Sequence, residues 1–371
     1  MLSLRKKEES YLDKIDKIID WSKIIYKKQY ENNINTICLK NGYLTYLLKY
    51  FKRYVWGYYM VINLRNICFV IFFVLLTSLF TTTTRAQTLM HNGLERHYVL
   101  RLPPKWQPGQ PLMPLVVVLH GGGGNANNAE RMTGFTAKGA SEGFAVVYPE
   151  GSGSRDNVLL TWNAGHCCGW AIEHHVDDVG FIAALLDHLV ATSPIDPRRI
   201  YVTGMSNGAM MTHRLGIALS ERIVAIAPVV GAIFGDEKAP AQPVSALMIN
   251  GLLDENVPFA GGPLGGRTSF ASDGTPLQPV SEQGAFWARA DGCTMAVKRE
   301  DHGDYEVWRH TCPQGVTVTQ IVVNDNGHAW PGGQKGSPRG DQPSTAIDAT
   351  DVMWDFFKAA GAKRQGSMAD F

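Results

Sequence analysis

The stretch from Ile200 to Met211 (IYVTGMSNGAMM) limits what this chain can become more than any other. Its opening run of Ile200, Tyr201 and Val202 reads as a buried strand that stops at Gly204, and from Ala209 onward the residues favour a helix. Between them lies G-x-S-x-G in a strand–turn–helix setting, a nucleophile elbow. Such a turn forces its central residue, Ser206, into a strained backbone conformation. It also brings Gly204 and Gly208 too close to their neighbours for a Cβ. The strain lifts the serine hydroxyl clear of the sheet, where a base and a substrate can both reach it. Glycine is common in this chain, at 38 of 371 residues, so the pattern gains its weight from the flanking strand and helix.

Around the elbow, strand-like and helix-like segments alternate, which is the signature of an α/β architecture. Arg96–Leu102 alternates and is expected to open the sheet as an antiparallel edge. Leu115–Leu119, Phe144–Tyr148, Ile223–Val230 and Ser245–Asn250 are continuous apolar runs, expected as strands buried on both faces. Val176–Val190 carries Phe181, Ile182, Leu185, Leu186 and Leu189 at helical spacing, with Asp177 and Asp178 at its start, where acids suit the helix dipole. Val316–Val323 reads as the last strand and Ala346–Ala360 as the closing helix.

Residues 1–59 differ from the rest: they are rich in Lys, Tyr, Ile and Asn and lack Gly and Pro punctuation. They read as a basic extension, either a membrane-surface helix at Tyr11–Lys28, a loose tail, or untranslated sequence upstream of a start at Met60. The last is preferred, because Met60 is followed by Arg65, an apolar run Ile67–Phe80, and a small-residue site at Thr84 and Ala86 before Gln87. Residues 60–86 are therefore expected to be a signal peptide, or an uncleaved anchor if Met1 is the start. Both place residues 87–371, the catalytic domain, outside the cytoplasm, with the membrane a partner only through that segment. A net charge of +1 and 19% charged residues leave no electrostatic footprint for nucleic acid.

A serine hydroxyl needs a neutral imidazole to take its proton and a carboxylate behind the ring. In this architecture the order along the chain is Ser, acid, His. After Ser206, Asp254 lies just past a buried strand in NGLLDENVPF, with Glu255 beside it as the alternative acid. His328 lies in NDNGHAWPGG, directly after the last strand, whereas His302, His310, His174 and His175 precede the strands that would have to carry them. An ester carbonyl under attack also needs two aimed N–H donors. Asn207 N–H is one; LHGGGG supplies the other, with Gly122 the choice and Gly121 or Gly123 close behind.

Taken in order, LHGGGG, TWNAGHCCGWA, VDDVGFI, GMSNGAM, NGLLDENVPF and GHAWPGG resemble the polyhydroxybutyrate depolymerase and feruloyl esterase group of secreted serine esterases over about residues 90–360. The resemblance implies an α/β-hydrolase fold with a mostly parallel sheet, Ser206 as nucleophile, His328 as base and Asp254 as the acid. Asn250 departs from it, since many relatives have His there. The substrate would be a carboxylic ester, feruloyl or acetyl on plant polysaccharide or a short hydroxyalkanoate, and no cofactor is required. The rival readings are a non-catalytic binding protein on the same scaffold, or a lipase or peptidase of the same fold.

Cys293 and Cys312 flank a hairpin-like segment and, in an exported chain, are expected to form a disulfide. Cys167 and Cys168, with His166, His174 and His175 nearby, lack the C-x-x-C spacing of a zinc site, so no metal is expected. Trp330, and less strongly Trp162 and Trp170, are candidates for a wall against a sugar or phenolic ring.

Overall fold

The structure, a computed structural model, describes residues 87–369 apart from 156–157, 267–270 and 314; the readings placed on residues 1–86 lie outside the described residues. Its centre is a parallel sheet of six apolar runs: β3 (Met113–Leu119), β4 (Ala145–Pro149), β5 (Ile195–Met205), β6 (Ile223–Val229), β7 (Ser245–Gly251) and β10 (Val318–Val323). Every residue of β4, β6, β7 and β10 is buried, as strands covered on both faces must be.

Antiparallel strands extend the sheet at both ends. On one side stand β1 (Gln87–His91) and β2 (Leu94–Arg101), on the other β8 (Val297–Asp301) and β9 (Tyr305–His310), giving the order β1-β2-β4-β3-β5-β6-β7-β10-β9-β8. The segment expected as the antiparallel edge is antiparallel, but β1 lies outside it. Asn92 and Gly93, at φ 47° and 78°, turn the chain between the two strands. Asn-Gly is the strongest short hairpin signal, because both turn positions require positive φ.

Two helical layers cover the sheet. α1 (Ala126–Thr133), α2 (Phe135–Glu142) and α7 (Ala349–Ala369) lie on one face. α4 (Asp178–Thr192), α5 (Asn207–Ala218) and α6 (Val280–Ala290) lie on the other, and α3 (Gly169–Glu173) is a single short turn. The two-residue period of the strands divides the core accordingly. Leu115, Val117 and Leu119 of β3 pack with Phe181 and Leu185 of α4, Met211 and Leu215 of α5, and Trp287 of α6. Val116 and Val118 pack with Met132 of α1, Phe135 of α2, and Trp354 and Phe357 of α7.

The two acids at the start of α4 do more than suit its dipole. Asp177 caps the helix, accepting the Gly180 N–H at 2.9 Å, while Asp178 is buried and pairs with buried Arg96 at 2.6 Å. Cys293 and Cys312 are bonded, tying the end of α6 to the end of β9, and Cys167 is bonded to Cys168 across a cis peptide. Among the described residues, no helix is long and apolar enough to cross a membrane. All six parallel strands end at one edge of the sheet, so the loops after β3, β4, β5, β7 and β10 gather there. In open α/β sheets this is the edge where ligands bind.

Candidate active site

The elbow follows β5 as its glycines require. Ser206 has φ 58° and ψ −123°, far outside the regions open to ordinary side-chain-bearing residues, and α5 begins at the next residue. A Cβ on Gly204 would stand 2.6 Å from the Gly208 carbonyl oxygen; one on Gly208 would collide with the His120 carbonyl oxygen and stand 2.7 Å from that of Leu119. The Ser206 N–H donates to Val229 O at 3.0 Å, fastening the turn to β6.

The glycine loop after β3 runs directly across this turn. Built outward from each backbone, a Cβ on Gly121 would lie 3.5 Å from Ser206 Cβ, and one on Gly122 3.6 Å from Asn207 Cβ. The N–H of Gly123 and that of Gly124 already donate to Leu160 O and Gly121 O. Gly123 is thereby removed from the three candidate donors, and among the described residues the N–H groups of Gly121, Gly122 and Asn207 have no acceptor in the protein.

His120 locks this loop. Its Nε2 accepts the Gly151 N–H at 2.9 Å, so the ring proton is on Nδ1 and is donated to Gly121 O at 2.8 Å. Full burial pushes its pKa down to about 4, which keeps the ring neutral and both bonds intact at neutral pH. Asn207 has a second task besides its backbone: its side chain grips the Trp162 main chain, accepting from Trp162 N at 2.7 Å and donating to Trp162 O at 3.0 Å.

On the far side of the elbow, the loops after β7 and β10 bring the expected acid and base together. His328 Nδ1 lies 2.7 Å from Asp254 Oδ2. Asp254 is buried at 6% exposure, and its other oxygen accepts the N–H groups of Asn256 and Val257, both at 2.8 Å. Glu255, the alternative acid, is exposed. With Nδ1–H donated to the carboxylate, His328 Nε2 carries the lone pair a base needs. No hydrogen bond joins Ser206 Oγ to His328 among the described residues; in unliganded hydrolases this bond is often long.

Sequence reasoning missed what holds His328. The His328 N–H donates to Asp341 Oδ2 at 2.6 Å, and a Cβ on Gly327 would collide with the same carboxylate. Fully buried Asn326 donates to the carbonyl oxygens of Gly327 and Ala329 at 2.9 and 3.0 Å, and its own oxygen accepts Ser344 N–H. Nothing local marks Asp341, because its partner lies on the far side of a coil. Asn250, the departure from the resembled family, is buried and donates to Gly231 O at 3.1 Å.

The expected tryptophan wall is corrected. Trp330 is 1% exposed, set edge-on against Phe135, with its indole N–H donated to Thr350 Oγ1 at 3.1 Å. Trp162 is fully buried and donates to His120 O at 3.0 Å. Neither ring offers a face to a substrate; both support the loops around the site. Trp170 is half-buried and stacks on His174 with ring centres 4.0 Å apart. His166 sits between Asp273 and Asp236, at 2.8 and 2.9 Å, and the two carboxylates raise its pKa.

A family model described as esterase PHB depolymerase matches residues 96–258. NocK of Nocardia uniformis subsp. tsuyamanensis, described as an esterase, is 31% identical over 268 residues, which cover 68% of this chain and 75% of that protein. Feruloyl esterase C of Emericella nidulans is 25% identical, over 74% of this chain and 89% of its own length. Feruloyl esterase B of Piromyces equi is 27% identical, and the chain spans only 44% of it. Among solved structures, the acetyl xylan esterase from Aspergillus awamori superposes with a TM-score of 0.50 at 16% identity, over 74% of this chain and 99% of that one, a likeness of fold alone.

Proposed function

Since the chain belongs to the PHB depolymerase family of esterases and is itself a serine esterase, we propose that it works through Ser206, His328 and Asp254, with Asn207 and Gly122 as the oxyanion donors. The observation that carries this is the 2.7 Å contact between His328 Nδ1 and buried Asp254 Oδ2, at the sheet edge where Ser206 stands on its strained turn. His328 Nε2 takes the hydroxyl proton as Ser206 Oγ attacks the ester carbonyl. The carbonyl electrons move onto oxygen, which meets the N–H groups of Asn207 and Gly122. The C–O bond to the alcohol then breaks, and His328 returns the proton to the departing oxygen, leaving an acyl group on Ser206. Water, deprotonated by the same nitrogen, attacks that acyl group and releases the acid.

The names of the relatives favour feruloyl esters as substrates, and that of the structural neighbour acetyl esters of xylan. Such substrates lie outside cells, in keeping with the export signal read at residues 60–86. A fluorophosphonate probe tests the mechanism: it should label the native protein, and Ser206→Ala should abolish both labelling and ester turnover. An S206A protein that still hydrolyses methyl ferulate, 4-nitrophenyl acetate or a hydroxybutyrate trimer refutes it.

A further inference from the structure

Leu159 is at odds with its surroundings in two ways. At 72% exposure it is the most exposed large apolar side chain among the described residues. Its φ is +55°, a left-handed backbone that side-chain-bearing residues avoid. The loop does not need it as an anchor, because Leu160 beside it is buried. Ser152 and Thr161 close the loop through paired N–H···O bonds of 2.9 and 2.8 Å, and Leu160 O accepts the Gly123 N–H at 2.8 Å. An unfavourable backbone that holds a leucine in water gains nothing from this fold alone. Strain that persists under these conditions points to a ligand.

Its place in the fold says which part of a ligand. A Cβ on Gly123 would lie 3.7 Å from Leu159 Cδ2, so the leucine methyl stands over the glycine loop one residue beyond Gly122. Leu159 follows β4, on one side of β5; Asp254 and His328 follow β7 and β10, on the other. The departing alcohol must face His328, which protonates it, and the acyl group is therefore directed towards β4. Resting on the triad reading above, we propose that Leu159 is the apolar wall of the acyl subsite, and that it favours acyl groups as large as an aromatic ring over acetyl. An acetyl group ends one bond past the carbonyl carbon and cannot reach a side chain set beyond the oxyanion donor; a hydroxycinnamoyl group can, and would cover the exposed leucine.

The test uses 4-nitrophenyl ferulate and 4-nitrophenyl acetate, which share a leaving group, on the native protein, Leu159→Asn and Leu159→Ala. Asparagine tolerates the left-handed backbone, so L159N removes the apolar surface with the loop conformation kept. The ferulate-to-acetate ratio of kcat/KM should fall about tenfold in both variants, equivalent to about 1.4 kcal/mol, chiefly through KM for the ferulate. An unchanged ratio overturns the wall. So does an equal loss on both esters, which would mark a disturbed glycine loop. A native protein that hydrolyses neither ester overturns the triad reading itself, a result distinct from the other two.

Discussion

Replacing Gly208 with alanine sets two physical effects against each other. Gly208 is the second residue of α5, where helix propensity alone predicts that alanine stabilises by about 1 kcal/mol. The structure predicts the opposite sign. The new methyl would collide with His120 O and lie 2.7 Å from Leu119 O, where ordinary contacts begin at 3.4 Å, so the end of β3 must retreat by at least about 0.7 Å. The glycine loop leaves β3 at that point, and Gly122 N–H moves with it. Oxyanion donors act within about 2.7–3.1 Å, so a shift of this size takes Gly122, the proposed donor, out of range, and losing one donor costs about 10²–10³ in kcat. Overpacking of this kind costs about 1–3 kcal/mol, enough to outweigh the gain in propensity. Gly216→Ala is the control on the same helix. Its Cβ would meet only the ends of side chains, Ile226 Cγ2 at 2.9 Å and Trp287 at 3.2 Å, well away from the elbow. G208A should therefore lose at least about 100-fold in kcat on 4-nitrophenyl acetate together with a lower Tm, while G216A loses Tm with kcat nearly kept. A G208A protein with kcat within about threefold of native and a raised Tm would refute the interlocking of elbow and glycine loop.

Two further outcomes follow from other parts of the fold. Asp341→Ala frees the backbone N–H of His328 and should lower kcat about 10- to 100-fold with little change in KM, whereas Asp341→Asn keeps an acceptor and should recover most of the loss; equal losses in the two variants would show that the bond does not position the base. Asp291 is buried, with one oxygen accepting the Val244 N–H and the other unpartnered, and burial pushes its pKa up to about 7. The folded chain therefore binds a proton there that the unfolded chain releases near pH 4, so this site's stabilisation is complete below that pH and is lost as pH rises towards 7, by up to about 4 kcal/mol. Asp291→Asn should flatten the fall in Tm between pH 4 and 8, and an unaltered slope would exclude the site as its source.

The elbow was readable from sequence because its geometry depends on two missing side chains, and glycine at positions 204 and 208 records that directly. The meeting of Asp254 and His328 was readable because each follows the end of an apolar run, and the six parallel strands carry all such ends to one edge. The tryptophans were not. An indole beside a site has the same local sequence whether its face is open or, as with Trp330 and Trp162, packed against neighbours distant in the chain. Asp341 and Leu159 were missed for a related reason, since one acts through a backbone N–H across a coil and the other is defined by a φ angle. The Asn-Gly at residues 92–93 was legible and was passed over, which is why the sheet has a strand outside the expected edge.

The contact between Gly208 and the carbonyl groups of Leu119 and His120 also limits how this enzyme can be redesigned. The elbow and the glycine loop are keyed to each other, so remodelling the β3 loop to admit a new acid would move the turn at Ser206 as well. The Leu159 side chain on the β4 loop offers a gentler point of change, because it reaches Gly123 from outside while the bond from the Gly123 N–H to Leu160 O stays in place. Libraries aimed at altered acyl preference should begin there and leave both glycine motifs untouched.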